Sequence, residues 1–226
     1  MIWLGQAVGL FFRALRAGWQ LVRCSYYLVR MHGPIVTIFG GGRVKRDSDY
    51  AKVVYQFAQL CASDGFSILT GGGPGAMEAA NCGVRDALAA GQAAAVDTLG
   101  IGVYGVDKDF KNPCAAVLNV SDFATRKHLL MRYSCAFVAF PGGIGTMDEI
   151  FSLLNLAKHL RVPRMPIILV DTTYWHDLIE WYHDSGLEQG LIGPRHKEML
   201  VAVDTPEQAL AIIKARMGNR SDNNEP

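Results

Sequence analysis

Short apolar runs that alternate with helical patterns limit most strongly how this chain can fold. The predicted strands are 35–40, 66–71, 99–105, 115–120, 135–140, 165–170 and 199–203. Helical patterns lie between most of these strands, at about 48–63, 75–90, 122–134, 146–160, 174–186 and 206–216. Because the runs are apolar on both faces, they indicate a parallel sheet covered by helices on both sides. We therefore predict a doubly wound α/β domain of about seven strands, whose ligand lies beyond the carboxyl ends of the strands.

Length and charge point to one domain with a small-molecule site. The chain has 226 residues, of which 50% are hydrophobic and 19% charged, and this suits a single well-filled domain. A net charge of +1 gives no indication of nucleic acid as a partner. We predict an N-terminal helix at 1–33, a nucleotide-binding domain at 34–217 and a disordered polar tail at 218–226.

The cysteines and histidines lack the spacing of a metal site or a disulfide framework. The five cysteines are scattered, with no C-x-x-C pair, so we predict a reducing, cytoplasmic location, no disulfide framework and no zinc site. His176 and His183, each followed by an aspartate, are the best metal candidates. An amphipathic helix with a solvated edge explains them better, so no metal is expected.

Residues 1–33 differ from the rest of the chain, with four arginines and no acidic residue. The arginines fall within an arc of roughly 100° on a helix, which predicts an amphipathic basic helix. Its uncharged run, Met1 to Phe12, is too short to span a bilayer. Such a helix suits peripheral contact with a membrane surface or an anionic partner. The alternative, a helix packed on its own domain or on a second subunit, stays open.

Three predicted strands run into glycine-rich turns at what should be one edge of the sheet. The turns are FGGGR (39–43), TGGGPGAMEAAN (70–81) and FPGGIGT (140–146). Tight packing alone can require glycine, but three turns at one edge favour a ligand site. Neither a nucleoside-triphosphate loop nor a clean dinucleotide fingerprint is present, so a monophosphate is the expected ligand. Its phosphate would be bound by the amides of Gly142, Gly143, Gly145 and Thr146 and by the Thr146 hydroxyl.

Two acids, Asp148 and Glu149, follow this phosphate loop in the first turn of the predicted helix. Interaction with the helix dipole would explain them without any ligand. Alternatively, a carboxylate one turn beyond a phosphate would face the attached sugar and stabilise a sugar cation. That role needs a counter-charge, and Arg126 and Lys127 begin the helix that leads to the same edge. Lys127 is also expected to bind the phosphate of the nucleotide. Ordinary surface charge is the alternative for both cations.

The pattern P-G-G-x-G-T-x-x-E at 141–149, with an upstream Arg-Lys pair, resembles the Lonely Guy family of nucleoside 5′-monophosphate phosphoribohydrolases, long mislabelled as lysine decarboxylases. The resemblance covers roughly residues 34–217. It implies a Rossmann-like fold, usually dimeric, and hydrolysis of an N-glycosidic bond to free base and ribose 5-phosphate, without metal or cofactor. It also implies that Arg126 and Glu149 are the catalytic pair.

The second turn adds further candidate residues. Gly72 and Gly73 are expected to bind the nucleotide, and Glu78 to bind a ribose hydroxyl or to act only as a helix-start acid. The sequence departs from the cytokinin-type pattern, with Ile144 where an aromatic residue is frequent, so the base preference is left open. The alternative function is a non-catalytic carrier of a nucleotide or of molybdenum cofactor.

Overall fold

A computed structural model describes residues 2–93, 95–107, 109–158 and 166–222, and it contains one parallel sheet between two helical layers. The strands are β1 (Ile35–Phe39), β2 (Ser67–Thr70), β3 (Thr98–Val103), β4 (Ala116–Val120), β5 (Ala136–Ala139), β6 (Ile167–Val170) and β7 (Leu200–Val203). The helices are α1 (Ile2–Val29), α2 (Asp49–Ser63), α3 (Ala76–Ala89), α4 (Phe123–Arg132), α5 (Ile144–Lys158), α6 (Thr172–Glu180) and α7 (Pro206–Asp222). A π-helical turn at Trp181–Leu187 follows α6, and a 3₁₀ helix at Pro194–Met199 precedes β7.

The strand order β4-β3-β2-β1-β5-β6-β7 confirms the predicted doubly wound sheet. Neighbouring strands pair in parallel throughout this sheet. Buried side chains from α2, α3 and α7 form the core on one face, and those from α1, α4, α5 and α6 form the core on the other. The two layers explain why the strand runs are apolar at successive positions, because both faces of each strand are covered.

Strand β1 shows how the sequence produces this double burial. Val36 and Ile38 lie in the core with α2, α3 and α7, whereas Ile35 and Phe39 lie in the opposite core. Side chains of a strand alternate between its two faces, so a strand in the middle of the sheet needs apolar residues at both kinds of position. The Phe39 ring stacks on Phe137 of β5, with ring centroids 6.4 Å apart.

The direction of winding reverses between β1 and β5, which are neighbours in the sheet. The chain leaves β1 for α2 on one face and leaves β5 for α5 on the other. This divergence opens a crevice at the carboxyl ends of the two strands, where ligands of such sheets bind. The two turns stay in contact, because the Gly41 amide donates to the Pro141 carbonyl over 3.1 Å.

One disulfide is present, although the sequence predicted a chain without a disulfide framework. Cys82 in α3 and Cys114 before β4 are bonded, with their Cα atoms 4.9 Å apart. They are 32 positions apart in sequence and lack a recognisable spacing, so only the packing of α3 against the segment before β4 reveals the pair. Cys24 and Cys61 are buried among apolar side chains, as expected of thiols that act as small hydrophobes.

The C-terminal prediction also needs correction. Helix α7 continues to Asp222, whereas the polar composition predicted disorder from 218 onward. Weak helix formers lower helical stability without breaking a helix, and the segment contains no proline before 226. Residues 223–226 of the predicted tail lie outside the described residues, as do positions 159, 160 and 165 at the ends of a predicted helix and strand.

Candidate active site

A cavity of about 1080 Å³ lies at the switch point between β1 and β5. The three glycine-rich turns predicted from the sequence all line it, through Gly40–Gly42, Gly71–Gly73 and Gly143–Gly145. The cavity therefore forms where the topology of the sheet predicts a ligand.

The N-terminus of α5 forms one wall of this cavity. Gly143, Gly145 and Thr146 line the wall, and the first amides of the helix have no acceptor within the helix. A Cβ atom on Gly142 would collide with the Thr146 hydroxyl, so the tight approach of the loop to the helix requires glycine there. The Tyr174 hydroxyl donates to the Gly142 carbonyl over 2.5 Å and braces the loop from outside. These free amides and the helix dipole favour an anion in front of α5.

The second glycine-rich turn also lines the cavity. Gly72 has a φ of +74°, a conformation that glycine adopts without strain, and its amide donates to the Thr70 hydroxyl over 3.0 Å. A side chain at Gly71 would occupy the space of the Arg126 guanidinium. The turn therefore makes room for the arginine as well as for a ligand.

Arg126 and Glu149 meet at the wall of the cavity. Arg126 Nη1 lies 3.2 Å from Glu149 Oε1, and the two side chains are 15% and 9% exposed. Arg126 Nε also donates to the Ile101 carbonyl over 2.9 Å, which fixes the guanidinium plane from β3. The structure thus brings together the two residues that the sequence proposed as a catalytic pair, from α4 and α5.

Burial raises the pKa of Glu149 to about 7. The Arg126 guanidinium opposes this rise, the Asp148 carboxylate adds to it, and the Lys127 ammonium again opposes it. A carboxyl group that changes its charge near neutral pH beside a cavity is typical of functional sites.

The neighbouring charges Lys127 and Asp148 lie outside the cavity. Lys127 Nζ is 3.0 Å from Asp148 Oδ1 and 3.2 Å from Ser152 Oγ, and neither charged residue is among those that line the cavity. The predicted first-turn position of the two acids is wrong, because α5 begins at Ile144 and its first turn contains no acid. Asp148 instead pairs with Lys127 on the surface of α5.

Glu78 does not line the cavity and forms an ion pair with Arg46 instead. Its carboxylate is 5% exposed and accepts a hydrogen bond from Arg46. The adjacent Met77, not Glu78, is among the residues that line the cavity. The structure thus leaves Glu78 behind the second glycine-rich turn, where it holds the segment after β1 against α3.

A polar network that sequence reasoning missed supports the second turn. Asn81 Oδ1 accepts hydrogen bonds from the Thr70 hydroxyl over 3.0 Å and from Asn112 Nδ2 over 2.9 Å. Asn112 lines the cavity, in the segment that the Cys82–Cys114 disulfide ties to α3. Asn81 is the last residue of the GGGPGAMEAAN run, and it is fully buried. An amide side chain so soon after a glycine-rich turn was the sequence signal that could have predicted this network, because a buried amide needs hydrogen-bond partners.

The charges around the cavity are mixed. Arg43, Lys111 and Arg126 line it together with Asp107 and Glu149. A wholly basic cavity would suit a polyphosphate, whereas carboxylates beside an anion site suit a ligand that is negative at one end and becomes positive at another.

The metal candidate on α6 lies away from the cavity. Within the described part of the chain, His176, Asp177 and Glu180 form a cluster with metal-ligating atoms within 4.8 Å of one another, and all three are exposed. His183, the second histidine of the predicted pair, is not in this cluster. An exposed group of this kind is common on protein surfaces without a metal.

Comparison with known proteins gives the family of this chain. A family model described as "Possible lysine decarboxylase" matches residues 77–213, more than half of the chain. A relative from Rhodococcoides fascians, named cytokinin riboside 5′-monophosphate phosphoribohydrolase, is 27% identical over 188 residues, which cover 80% of this chain and 89% of that protein. The chain belongs to the Lonely Guy family.

A second relative and a solved structure are also similar to this Lonely Guy protein. A rice protein, from Oryza sativa subsp. japonica, is named a probable enzyme of the same kind and is 30% identical over 91 residues, which cover 40% of this chain and only 43% of that protein. The molybdenum cofactor binding protein of Rippkaea orientalis is 24% identical, with a TM-score of 0.57, and the match covers 81% of this chain and 97% of that one. At this identity the structural likeness shows the Rossmann-like fold alone.

Proposed function

We propose that this Lonely Guy protein is a nucleoside 5′-monophosphate phosphoribohydrolase, which hydrolyses the N-glycosidic bond to free base and ribose 5-phosphate. The Arg126–Glu149 pair carries the proposal, because a buried carboxylate beside an anion site serves no purpose in simple anion binding. The names of the curated relatives support the same reaction class.

In this proposal the 5′-phosphate lies in front of α5. The amides of Gly143, Gly145 and Thr146 donate to its oxygens, and the Thr146 hydroxyl adds one more donor. Gly142 lets the loop approach the helix closely enough for these donors to converge. Gly72 and Gly73 also line the cavity, where the nucleoside end of the substrate would pass.

Glu149 then lies beside the sugar. Thr146 and Glu149 are three residues apart on α5, which places them on one face with a rise of about 4.5 Å along the helix axis. Cleavage breaks the bond between the anomeric carbon and the base nitrogen, and its electron pair leaves with the base. The ribosyl group becomes cation-like, and the Glu149 carboxylate stabilises this charge and orients the attacking water.

Arg126 has two roles in this mechanism. Its guanidinium favours the ionised form of Glu149, which burial disfavours. Arg126 also lines the cavity, where its guanidinium can bind substrate oxygens. The Ile101 carbonyl holds the guanidinium in place during both tasks. Lys127 supports the same ionised form from outside, because it lowers the pKa of Glu149 without contact with the cavity.

A panel of nucleoside 5′-monophosphates tests the proposal. The purified protein is incubated with purine, pyrimidine and cytokinin-type monophosphates, and free base and ribose 5-phosphate are measured in equal amounts. Nucleosides without the phosphate serve as matched substrates, and we expect no turnover of them because the anion site at α5 would stay empty. The panel also identifies the preferred base.

The same panel separates the enzyme from the alternative, a non-catalytic carrier of a nucleotide or of molybdenum cofactor. Tight binding of a panel member without release of base from any of them would contradict the hydrolase and favour the carrier. Release of base without ribose 5-phosphate would contradict simple hydrolysis. The homodimer, the cytoplasmic location and the role of Glu78 stay predictions that sedimentation, fractionation and mutagenesis would test.

A further inference from the structure

Helix α1 exposes large apolar side chains that the rest of the described chain leaves uncovered. Along its outer face these are Leu15, Trp19, Val22, Tyr26 and Val29, which are between 53% and 71% exposed. The opposite face of the helix is buried through Gln20, Cys24 and Leu28. An exposed apolar surface of this size on a globular protein marks an interaction site.

The C-terminal half of α1 is fixed to the domain, so the outer face cannot turn inward. Gln20 accepts a hydrogen bond from the Ser121 amide over 2.9 Å, and the Tyr133 hydroxyl donates to Ser25 Oγ over 2.6 Å. These contacts, with the buried Cys24, hold one side of the helix against α4 and β4. The outer face therefore points away from the domain.

In the N-terminal half of α1, large apolar side chains are exposed on more than one side of the helix. Leu10 and Phe12 lie about 200° apart around the axis, yet they are 67% and 62% exposed. Phe11, between them in sequence, is 58% exposed. A partner helix covers one face of a helix, whereas a lipid phase surrounds it. The exposure on opposite sides therefore favours lipid.

Charge identifies the kind of lipid. Arg13, Arg16 and Arg30 are exposed on α1, and the first 46 residues contain no acid. Arg30 lies over the Tyr26 ring at 4.3 Å, which places a cation beside the outer apolar face. Two copies of α1 packed together would have no carboxylate on either helix to balance these arginines, whereas an anionic headgroup layer provides that balance.

We propose that α1 lies in the headgroup region of an anionic membrane, with its outer face and its N-terminal turns among the lipids. Among the described residues, no helix has the length and apolarity needed to cross a bilayer. An interfacial position suits both the exposed apolar side chains and the arginines of α1. The aromatic and aliphatic side chains enter the edge of the acyl-chain region, while the guanidinium groups stay beside the lipid phosphates. Arg16 stacks over Tyr104 at the rim of the cavity, so the cavity would open close to the membrane.

Vesicle co-sedimentation of the full chain tests this proposal. We expect the protein to pellet with phosphatidylcholine vesicles that contain phosphatidylserine, and to stay in solution with phosphatidylcholine alone. A Phe11→Glu, Trp19→Glu double variant should pellet at least about tenfold less, because two carboxylates would enter the lipid interface. Leu191→Glu is the matched control, since Leu191 is 77% exposed away from α1, and it should pellet like the unchanged protein. Far-UV circular dichroism checks that the variants fold.

A charge variant, Arg13→Gln with Arg30→Gln, should lose the preference for anionic vesicles. Absence of pelleting by the unchanged chain would overturn the proposal. Equal pelleting with both vesicle types would overturn the role of the arginines.

The heptad-like spacing of the outer apolar face also fits a second copy of the chain. If the protein is a dimer that Trp19→Glu converts to a monomer, and if it does not bind vesicles, the outer face of α1 binds a second copy of the chain instead of a membrane.

Discussion

Two ion pairs connect α4 to α5, and they differ almost entirely in their surroundings. Arg126 and Lys127 are adjacent in sequence, as are Asp148 and Glu149. The inner pair, Arg126–Glu149, faces the cavity at 3.2 Å with side chains 15% and 9% exposed. The outer pair, Lys127–Asp148, has a similar distance of 3.0 Å but side chains 26% and 54% exposed.

This difference shows that depth, more than distance, sets what an ion pair does. Water screens the outer pair, so its charges contribute little to stability. Removal of water from the inner pair raises the pKa of Glu149 to about 7 despite the adjacent guanidinium. Two pairs of a basic and an acidic residue, one position apart on each helix, thus give a carboxyl group with a raised pKa in one case and a surface contact in the other.

The largest expected effect comes from the inner carboxylate. Glu149→Gln should keep nucleotide binding, because the phosphate amides are unchanged, and should lower kcat by roughly 10²–10⁴. Isothermal titration with a non-hydrolysed analogue and a turnover assay measure the two quantities separately. Near-normal kcat in this variant would remove Glu149 from the chemistry.

Loss of the inner cation should affect both binding and rate. Arg126→Ala removes a donor to the substrate and raises the pKa of Glu149 further, so we expect kcat/KM to fall by roughly 10²-fold at pH 7. The pH midpoint of activity should move upward, whereas Arg126→Lys should retain part of the charge effect. A change in thermal stability alone, with normal kinetics, would favour a purely structural role.

The pH dependence of the intact protein should report Glu149. Activity should rise with pH through an apparent pKa near 7, because the mechanism needs the carboxylate. The folded protein also holds a proton on Glu149 that the unfolded chain has released, since a solvated glutamate there keeps its ordinary pKa of 4.5. The free energy of unfolding should therefore fall by about 3 kcal/mol as pH rises from below 4.5 to above 7.

Denaturant unfolding at several pH values measures this fall in stability. In Glu149→Gln the contribution of this one group should disappear, so the fall in the free energy of unfolding between pH 4.5 and 7 should be about 3 kcal/mol smaller than in the unchanged protein. If the free energy of unfolding depends on pH in the same way in both proteins, a group other than Glu149 takes up the proton.

Changes in the outer pair should have the smallest effects. Asp148→Asn and Lys127→Gln should each change the free energy of unfolding by about 0–1 kcal/mol and kcat by less than about twofold. Their influence on Glu149 is opposite in sign, since Asp148 raises its pKa and Lys127 lowers it. The activity profile should therefore move slightly to lower pH in the first variant and to higher pH in the second. A large loss of turnover in Asp148→Asn would make the outer acid part of the site.

Much of the fold followed from local pattern, because both faces of the strands needed apolar residues and the turns needed glycine. The seven strands and the long helices lie close to their predicted positions, and PGGIGT begins a helix as expected. The disulfide between Cys82 and Cys114 could not be predicted, since it depends on packing between segments far apart in sequence. The ion pair between Glu78 and Arg46 could not be predicted for the same reason.

The chemical groups at the strand ends follow from the sequence, since glycine turns, a basic pair and an acidic pair are local features. Which member of each pair faces the cavity depends on the tertiary structure. Burial depends on how α4 and α5 pack against the sheet, and neighbouring positions on a helix point about 100° apart. That rotation puts Arg126 and Glu149 inside, with a carboxyl pKa near neutrality, and leaves Lys127 and Asp148 in water.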